Sequence, residues 1–268
     1  MRIFAAAVCA VLAFGALRRC EFARNRAREP LVVATFNIEE FPKDDAQVDG
    51  AFAILAGTGA QVIALEEIFD AGAAEAAAQR WLGPSWRFAS AGTTNGVAYD
   101  TRAFTFVRAA LHRETSIDGR GMPTTEIVLR DRSGDELHLF VVHLKSGAAG
   151  RGLRAKQHAG LRAMLAGAHG RTIVLGDFNA TEDADRDDLA ALATTTHLTW
   201  ATEPLACTAF WRRDEDCPTS RLDHALTWTA PSEVRARGAC DDGCDVRDRC
   251  PAYRDVVSDH CPVVISLP

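Results

Sequence analysis

Apolar, β-branched runs in this 268-residue chain repeatedly end in side chains that can bind a metal or move a proton. LVVATFNIEE delivers Asn37, then Glu39 and Glu40, and QVIALEEIF delivers Glu66 and Glu67. HLFVVHLKSG carries His143 and Lys145, RTIVLGDFNA carries Asp177 and Asn179, and RLDHAL carries Asp223 and His224. Near the C-terminus, VVSDHCPVVIS sets Asp259 and His260 inside a run that otherwise suits a buried strand. One acid after a strand is ordinary, because acids cap helices and end strands throughout proteins. Six such endings in apolar surroundings point to one shared site, since buried unpaired charge is costly and open α/β folds bind ligands beyond their strand ends.

The residue types narrow the chemistry. Asp, Glu and Asn offer hard oxygens, which suit Mg²⁺, Mn²⁺ or Ca²⁺ better than zinc. The sequence has no HExxH, no G-x-S-x-G elbow, no Walker loop and no GxGxxG after a strand. A covalent serine or cysteine mechanism therefore lacks a nucleophile with a base pattern. Several acids, two histidines and a divalent cation suit water attack on a phosphoester, where cation and imidazoles stabilise charge on the phosphorus oxygens.

Stepping out to the elements that must hold these groups, short apolar strands alternate with helical segments at about 46–58, 70–82, 151–169 and 185–194. Strand-like segments between about 86 and 145 have short connections, which predicts antiparallel neighbours. The pattern predicts an α/β fold with two packed sheets covered by helices. In the 151–169 helix, Leu153, Leu161 and Leu165 form an apolar stripe with Gln157 on it, so Gln157 is expected buried with a hydrogen-bond partner. Arg151, Arg154, His158 and Arg162 make an adjacent basic face, read as solvated, with phosphate contact as the alternative.

NIEEF, ALEEI, VVHLKS, GDFNA, RLDHAL and SDHCPV, in this order, resemble the motif series of the endonuclease/exonuclease/phosphatase superfamily. The resemblance runs from Leu31 to Pro268 and implies a four-layer α/β sandwich of two packed mixed β-sheets flanked by helices. It implies Asn37, Glu67 and Asp259 as metal-site residues for Mg²⁺ or Mn²⁺, with Asp259 alternatively the carboxylate that orients the histidine and Ca²⁺ as a structural ion. It also implies His260 at the scissile phosphate, Asp177 on the attacking water, Asn179 on a phosphate oxygen, Asp223 in support and His143 as general acid. Lys145 is a further candidate phosphate contact. Glu66 stands where the family carries Gln, so its extra charge is expected to bind a second cation or turn to solvent. His112, His138, His197 and His224 have no motif support and read as surface or satisfied histidines. Asp100 and Arg102 read as a local ion pair.

Residues 1–16 have the layout of a signal peptide, one Arg before an apolar run, with an uncleaved membrane anchor as the alternative. Residues 17–30 read as a basic linker, and 31–268 as the catalytic domain. Export to the periplasm or outside makes the six cysteines after residue 200 (Cys207, Cys217, Cys240, Cys244, Cys250, Cys261) readable as disulfides. Cys207 with Cys217 is the first pairing expected, because they bracket one loop; zinc at Cys240, Cys244 and Cys250 is the alternative. Cys261 should point away from His260 by strand alternation and anchor a disulfide behind the site.

The net charge of −6 argues against bulk electrostatic capture of nucleic acid but not against an enzyme gripping a few phosphates. The expected function is an exported, metal-dependent phosphodiesterase, first a nuclease on DNA or RNA, acting as a monomer without a stable protein partner. A sphingomyelinase-like or phosphoinositide-type phosphoesterase is the alternative, although WRRDEDCPTS around Trp211 is too charged for a membrane-docking hairpin. A non-catalytic binding module of the same fold is the reading from another class.

Overall fold

The computed structural model describes residues 30–168, 170–210, 217–241, 243–244 and 250–268. The stretches read as a signal peptide (1–16) and as a linker (up to residue 29), and Trp211 with the charged residues after it, lie outside the described residues. Among the described residues no helix is long and apolar enough to cross a membrane.

Leu31–Leu267 form one compact unit built on two six-stranded sheets. The first sheet holds β1 (Leu31–Phe41), β2 (Val62–Ile68), β3 (Trp86–Ser90), β4 (Gly96–Asp100), β13 (Glu233–Ala236) and β14 (Val263–Leu267), in the order β13-β14-β1-β2-β4-β3. The second holds β5 (Phe104–His112), β6 (Thr124–Asp131), β7 (Glu136–His143), β8 (Arg171–Asp177), β9 (Thr199–Trp200) and β12 (Asp223–Thr227), in the order β5-β6-β7-β8-β12-β9. A hairpin of β10 (Ala209–Phe210) and β11 (Thr219–Ser220) stands apart. Both sheets are mixed, with parallel β1/β2 and β7/β8 pairs among antiparallel neighbours. The segments between 86 and 145 pair antiparallel as expected, β3 with β4, β5 with β6 and β6 with β7.

Alternation along the strands explains the layers. Val33, Ala64, Val97, Ile127, Leu139, Leu175 and Ile265 fill the space between the sheets. The opposite faces of β1 and β2 present Phe36, Ile38, Ile63 and Leu65 to α1 (Asp45–Ala56) and α2 (Ala71–Trp81). Those of β7, β8 and β12 present Phe140, Val142, Val174 and Leu226 to α3 (Arg151–Leu165) and α4 (Asp183–Thr196). The result is the expected four-layer α/β sandwich. Helix starts follow capping chemistry: Asp44 and Asp70 accept from the amides of Gln47 and Ala73, and Glu182 with Asp185 forms a capping box. A fifth helix, α5 (Cys250–Val256), precedes β14.

Four sequence expectations are corrected. The α3 basic face is neither solvated nor open to phosphate: Arg154 and His158 are fully buried, and Arg151 pairs with Asp185 and Asp188 of α4. Hydropathy along one helix does not show that a second, acidic helix covers it. Gln157 is buried as expected, accepting from the Lys145 amide and donating to the Thr115 carbonyl.

The disulfides pair Cys207 with Cys244, Cys217 with Cys250 and Cys240 with Cys261. They exclude both the Cys207–Cys217 bridge and a zinc site at Cys240, Cys244 and Cys250. Hairpin register is the reason, because Ala209 pairs with Ser220 and Phe210 with Thr219. Cys207 then sits on the open side of these pairs and Cys217 on the turn side, about 17 Å apart at roughly 3.4 Å per residue, beyond disulfide reach. Three disulfides fit an oxidising compartment.

Glu66, the third case, neither faces solvent nor lies open to a cation; it is fully buried between the sheets. Asp100 pairs with Arg102 and His112 and His138 both bond to Glu126, as expected, whereas His224 is neither at the surface nor fully satisfied.

His158 of α3 and His224 of β12 flank Phe178, with ring centroids 6.0 and 5.9 Å from it. Neither His158 nitrogen nor His224 Nε2 has a hydrogen-bond partner among the described residues. Burial therefore disfavours their charged forms and pushes His158 down to about 4 and His224 to about 3. A lowered folded-state pKa means stability present above the unfolded value, near 6.5, and lost as pH falls from there toward 4. Chemical denaturation from pH 7.5 to 5 should show wild type holding its stability down to about 6.5 and then losing up to roughly 1.4 kcal/mol per histidine per pH unit relative to His158→Gln/His224→Gln. Parallel profiles for the two proteins would contradict this assignment.

Candidate active site

Register brings the strand ends together. Asn37 pairs with Glu66 across β1/β2, His143 with Asp177 across β7/β8, and Asp223 with Asp177 across β12/β8. The loop before β14 adds Ser258, Asp259 and His260 at the same end. Gly176, at φ +133°, is required here, because any Cβ would collide with the Val142 carbonyl oxygen just before Asp177. Glu39, Glu40, Glu67 and Asn179 all hold positive φ and all line one pocket, so backbone strain concentrates around it.

Asp177 lies at the centre of this pocket of about 690 Å³. Its Oδ2 is 3.5 Å from His143 Nε2, 3.9 Å from His260 Nε2 and 3.4 Å from Asn37 Nδ2. Asn179 donates its side-chain amide to that oxygen at 2.8 Å and to the Leu144 carbonyl at 3.0 Å. With both amide hydrogens engaged, Asn179 braces Asp177 and the neighbouring loop. Burial is the main force that pushes the Asp177 carboxyl above its ordinary value, opposed by His260 and His143.

His260 turns Nδ1 to Asp223 Oδ2 at 2.9 Å and leaves Nε2 at the pocket, 3.8 Å from Asp259 Oδ1. Burial opposes its charge, yet the Asp223 and Asp177 carboxylates and the Asp223 hydrogen bond together hold the imidazole well above its usual pKa. Two residues that sequence reasoning missed complete this arm. Thr208, fully buried, donates its hydroxyl to Asp223 Oδ2 at 2.7 Å and accepts from the Asp223 amide at 2.9 Å. Ser258 donates to the Asn37 carbonyl at 2.8 Å and accepts from the His260 amide at 3.0 Å, tying the loop to β1. A lone Thr in ACTAF carries no sequence signal; Ser258 stood beside the motif pair.

Glu67 Oε1 accepts from Asn37 Nδ2 at 3.2 Å and lies 3.8 Å from His143 Nε2, while Oε2 accepts from the Glu40 amide. Glu66 points the other way, its Oε1 accepting from Thr35 and its Oε2 without a hydrogen-bond partner among the described residues. Burial, reinforced by Asp223, pushes the Glu66 carboxyl well above the ordinary range despite the Thr35 hydrogen bond. Lys145 stays exposed, its Nζ 3.3 Å from Ser146 Oγ, and does not line the pocket. His224 is buried behind the site.

The donor set fits a hard divalent cation. Asp177, Asp223 and His260 bring ligand-type atoms within 4.8 Å of one another. Asp223, however, spends its oxygens on His260 and Thr208 and does not line the pocket. Of the other carboxylates at the pocket, Glu39 pairs with Lys43 and Glu40 is exposed, while Glu67 and Asp259 stand beside the histidines, with Asn37 behind Glu67. Asn37 turns its amide hydrogens to both Glu67 and Asp177, as expected where carboxylates outnumber cations.

Known folds agree with this architecture. D. rerio TDP2 complexed with single strand DNA product superposes at a TM-score of 0.67 with 17% identity, covering 88% of this chain and 98% of that one. The human Nocturnin catalytic domain with bound sulfate anion gives 0.64 and 19%, over 88% and 93%. The mannosyl-6-phosphatase of Bacteroides thetaiotaomicron VPI-5482 gives 0.58 and 16%, over 88% and 98%. No curated protein matches the sequence. The family described as Endonuclease/Exonuclease/phosphatase matches residues 34–260, and together with the sandwich and its strand-end site this shows that the chain belongs to that family.

Proposed function

We propose that the chain is an exported, divalent-metal-dependent phosphodiesterase that hydrolyses nucleic acid by attack of an activated water. The observation that carries it is the meeting of His143, Asp177 and His260 with Glu67 and Asp259 around one pocket. Asp177, its carboxyl raised by burial, is placed to take a proton from the attacking water. His260, held protonated by Asp223, aims Nε2 at the charge that builds on the phosphorus oxygens. His143 stands opposite as the donor to the leaving oxygen. A Mg²⁺ or Mn²⁺ ion held by Glu67 and Asp259, with Asn37, would neutralise the phosphoryl oxygens. Export rests on the layout of residues 1–16 and on the three disulfides.

Nucleic acid is favoured because a fold relative is described in complex with single-strand DNA product. A second reading has its own observation. The described pocket lining holds five carboxylates (Glu39, Glu40, Glu67, Asp177, Asp259) and no Lys or Arg, unlike a groove that tracks a polyanion. That favours a small substrate with a single phosphate, and one fold relative is described as a sugar phosphatase. Mature protein with Mg²⁺ or Mn²⁺ should nick supercoiled plasmid. Intact plasmid and RNA beside cleaved sugar phosphate or sphingomyelin would overturn the nuclease reading and leave the hydrolase reading standing.

A further inference from the structure

Arg154 on α3 is fully buried and touches no solvent, yet every polar group of its guanidinium is used. Nε and Nη2 donate to the two oxygens of Asp185 at 2.9 and 2.7 Å, and Nη2 also donates to Thr181 Oγ1 at 3.0 Å. Nη1 donates to the carbonyls of Lys145 and Gly147 at 2.9 and 2.7 Å. Asp185 in turn accepts from the amides of Thr181 and Glu182. One side chain therefore fastens the loop that follows His143 to the loop that follows Asp177 and Asn179. Ser146, Gly147, Ala148 and Thr181 from these loops line the pocket. Gln157, one turn further along α3, holds the first loop again through the Lys145 amide.

The geometry points to Arg154 and Asp185 as positioning residues: a buried clamp that sets His143 and Asp177 against each other and shapes the pocket wall. This rests on the reading of the pocket as the hydrolytic site. The pair is neutral as a unit and lies outside the pocket, so its contribution is placement and not charge on the substrate. Metal-site residues Asn37 and Glu67 stand on the other sheet and make no bond to the clamp itself.

The test separates clamping from stability. A buried ion pair can be exchanged for apolar residues of similar size with little loss of stability. Arg154→Met/Asp185→Leu should therefore stay folded, with a Tm lowered by the lost Glu182–Asp185 capping box and by the Lys145 and Gly147 carbonyls losing their donor. Its kcat should fall by on the order of 10²-fold, as for a misplacement of about 1 Å, with the metal concentration for half-maximal rate unchanged. Wild-type kcat in the folded double variant overturns the clamp. If that variant does not fold, Arg154→Lys decides, since an ammonium cannot span Asp185, Thr181 and both carbonyls. Reduced kcat with the fold kept supports the clamp, and wild-type kcat overturns it. Wild-type protein that hydrolyses no phosphoester defeats the reading of the site itself, whereas active wild type beside equally active variants defeats only the clamp.

Discussion

His260→Ala should lower phosphoester hydrolysis by at least about 10²-fold, the loss seen when a group that stabilises transition-state charge is removed. The imidazole is anchored on its far side by Asp223 and Thr208 and on its main chain by Ser258, so Nε2 has one direction in which to act. It is also kept charged, because Asp223 and Asp177 outweigh the burial that opposes charge. Asp223→Asn tests that second half. With the carboxylate gone the imidazole gives up its proton more readily, so the alkaline limb of the pH–rate profile should move to lower pH. Near wild-type rates in folded His260→Ala, checked by thermal unfolding, would remove His260 from the mechanism. An unmoved alkaline limb in Asp223→Asn would separate the two residues.

The adjacent glutamates should behave oppositely. Glu67→Gln removes a carboxylate from the pocket and should cost on the order of 10²-fold in rate at fixed metal, partly recovered by raising the metal concentration. Glu66→Gln should leave the rate unchanged, because the folded protein already holds Glu66 as a neutral acid between the sheets. Its stability effect has a definite sign. A carboxyl raised above its unfolded value contributes stability that is fully present below that value, near 4.5, and lost as pH rises through the folded value. Glu66→Gln should therefore gain on wild type as pH rises from 4.5 to 8 in denaturant titrations. A stability difference that does not change with pH would mean that Glu66 is charged in the fold.

Much of this was legible in the sequence because strands announce themselves by apolar runs, and the polar residues that end them are exceptions to the pattern. Asn37, Glu67, His143, Asp177, Asn179, Asp223, Asp259 and His260 were all named that way, and strand register gathers them at one end of the sandwich. What stayed hidden depends on a neighbour from elsewhere in the chain. Whether Arg154 faces water is decided by α4, which brings Asp185 over it 31 residues later. The resemblance told Glu67 from Glu66 but not where Glu66 goes: positive φ at Glu67 turns that residue into the pocket and leaves Glu66 between the sheets. The disulfides follow hairpin register rather than proximity along the chain. Thr208 matters only because the backbone of Asp223 passes beside it.

The central claim is that this pocket hydrolyses phosphodiesters only when a divalent cation is bound among its carboxylates. Full-length protein stripped with EDTA and dialysed should not cleave a chromogenic phosphodiester, and titrating Mg²⁺ or Mn²⁺ back should restore the rate to a plateau. Undiminished hydrolysis by the stripped protein, or none after either ion is restored, would contradict the account.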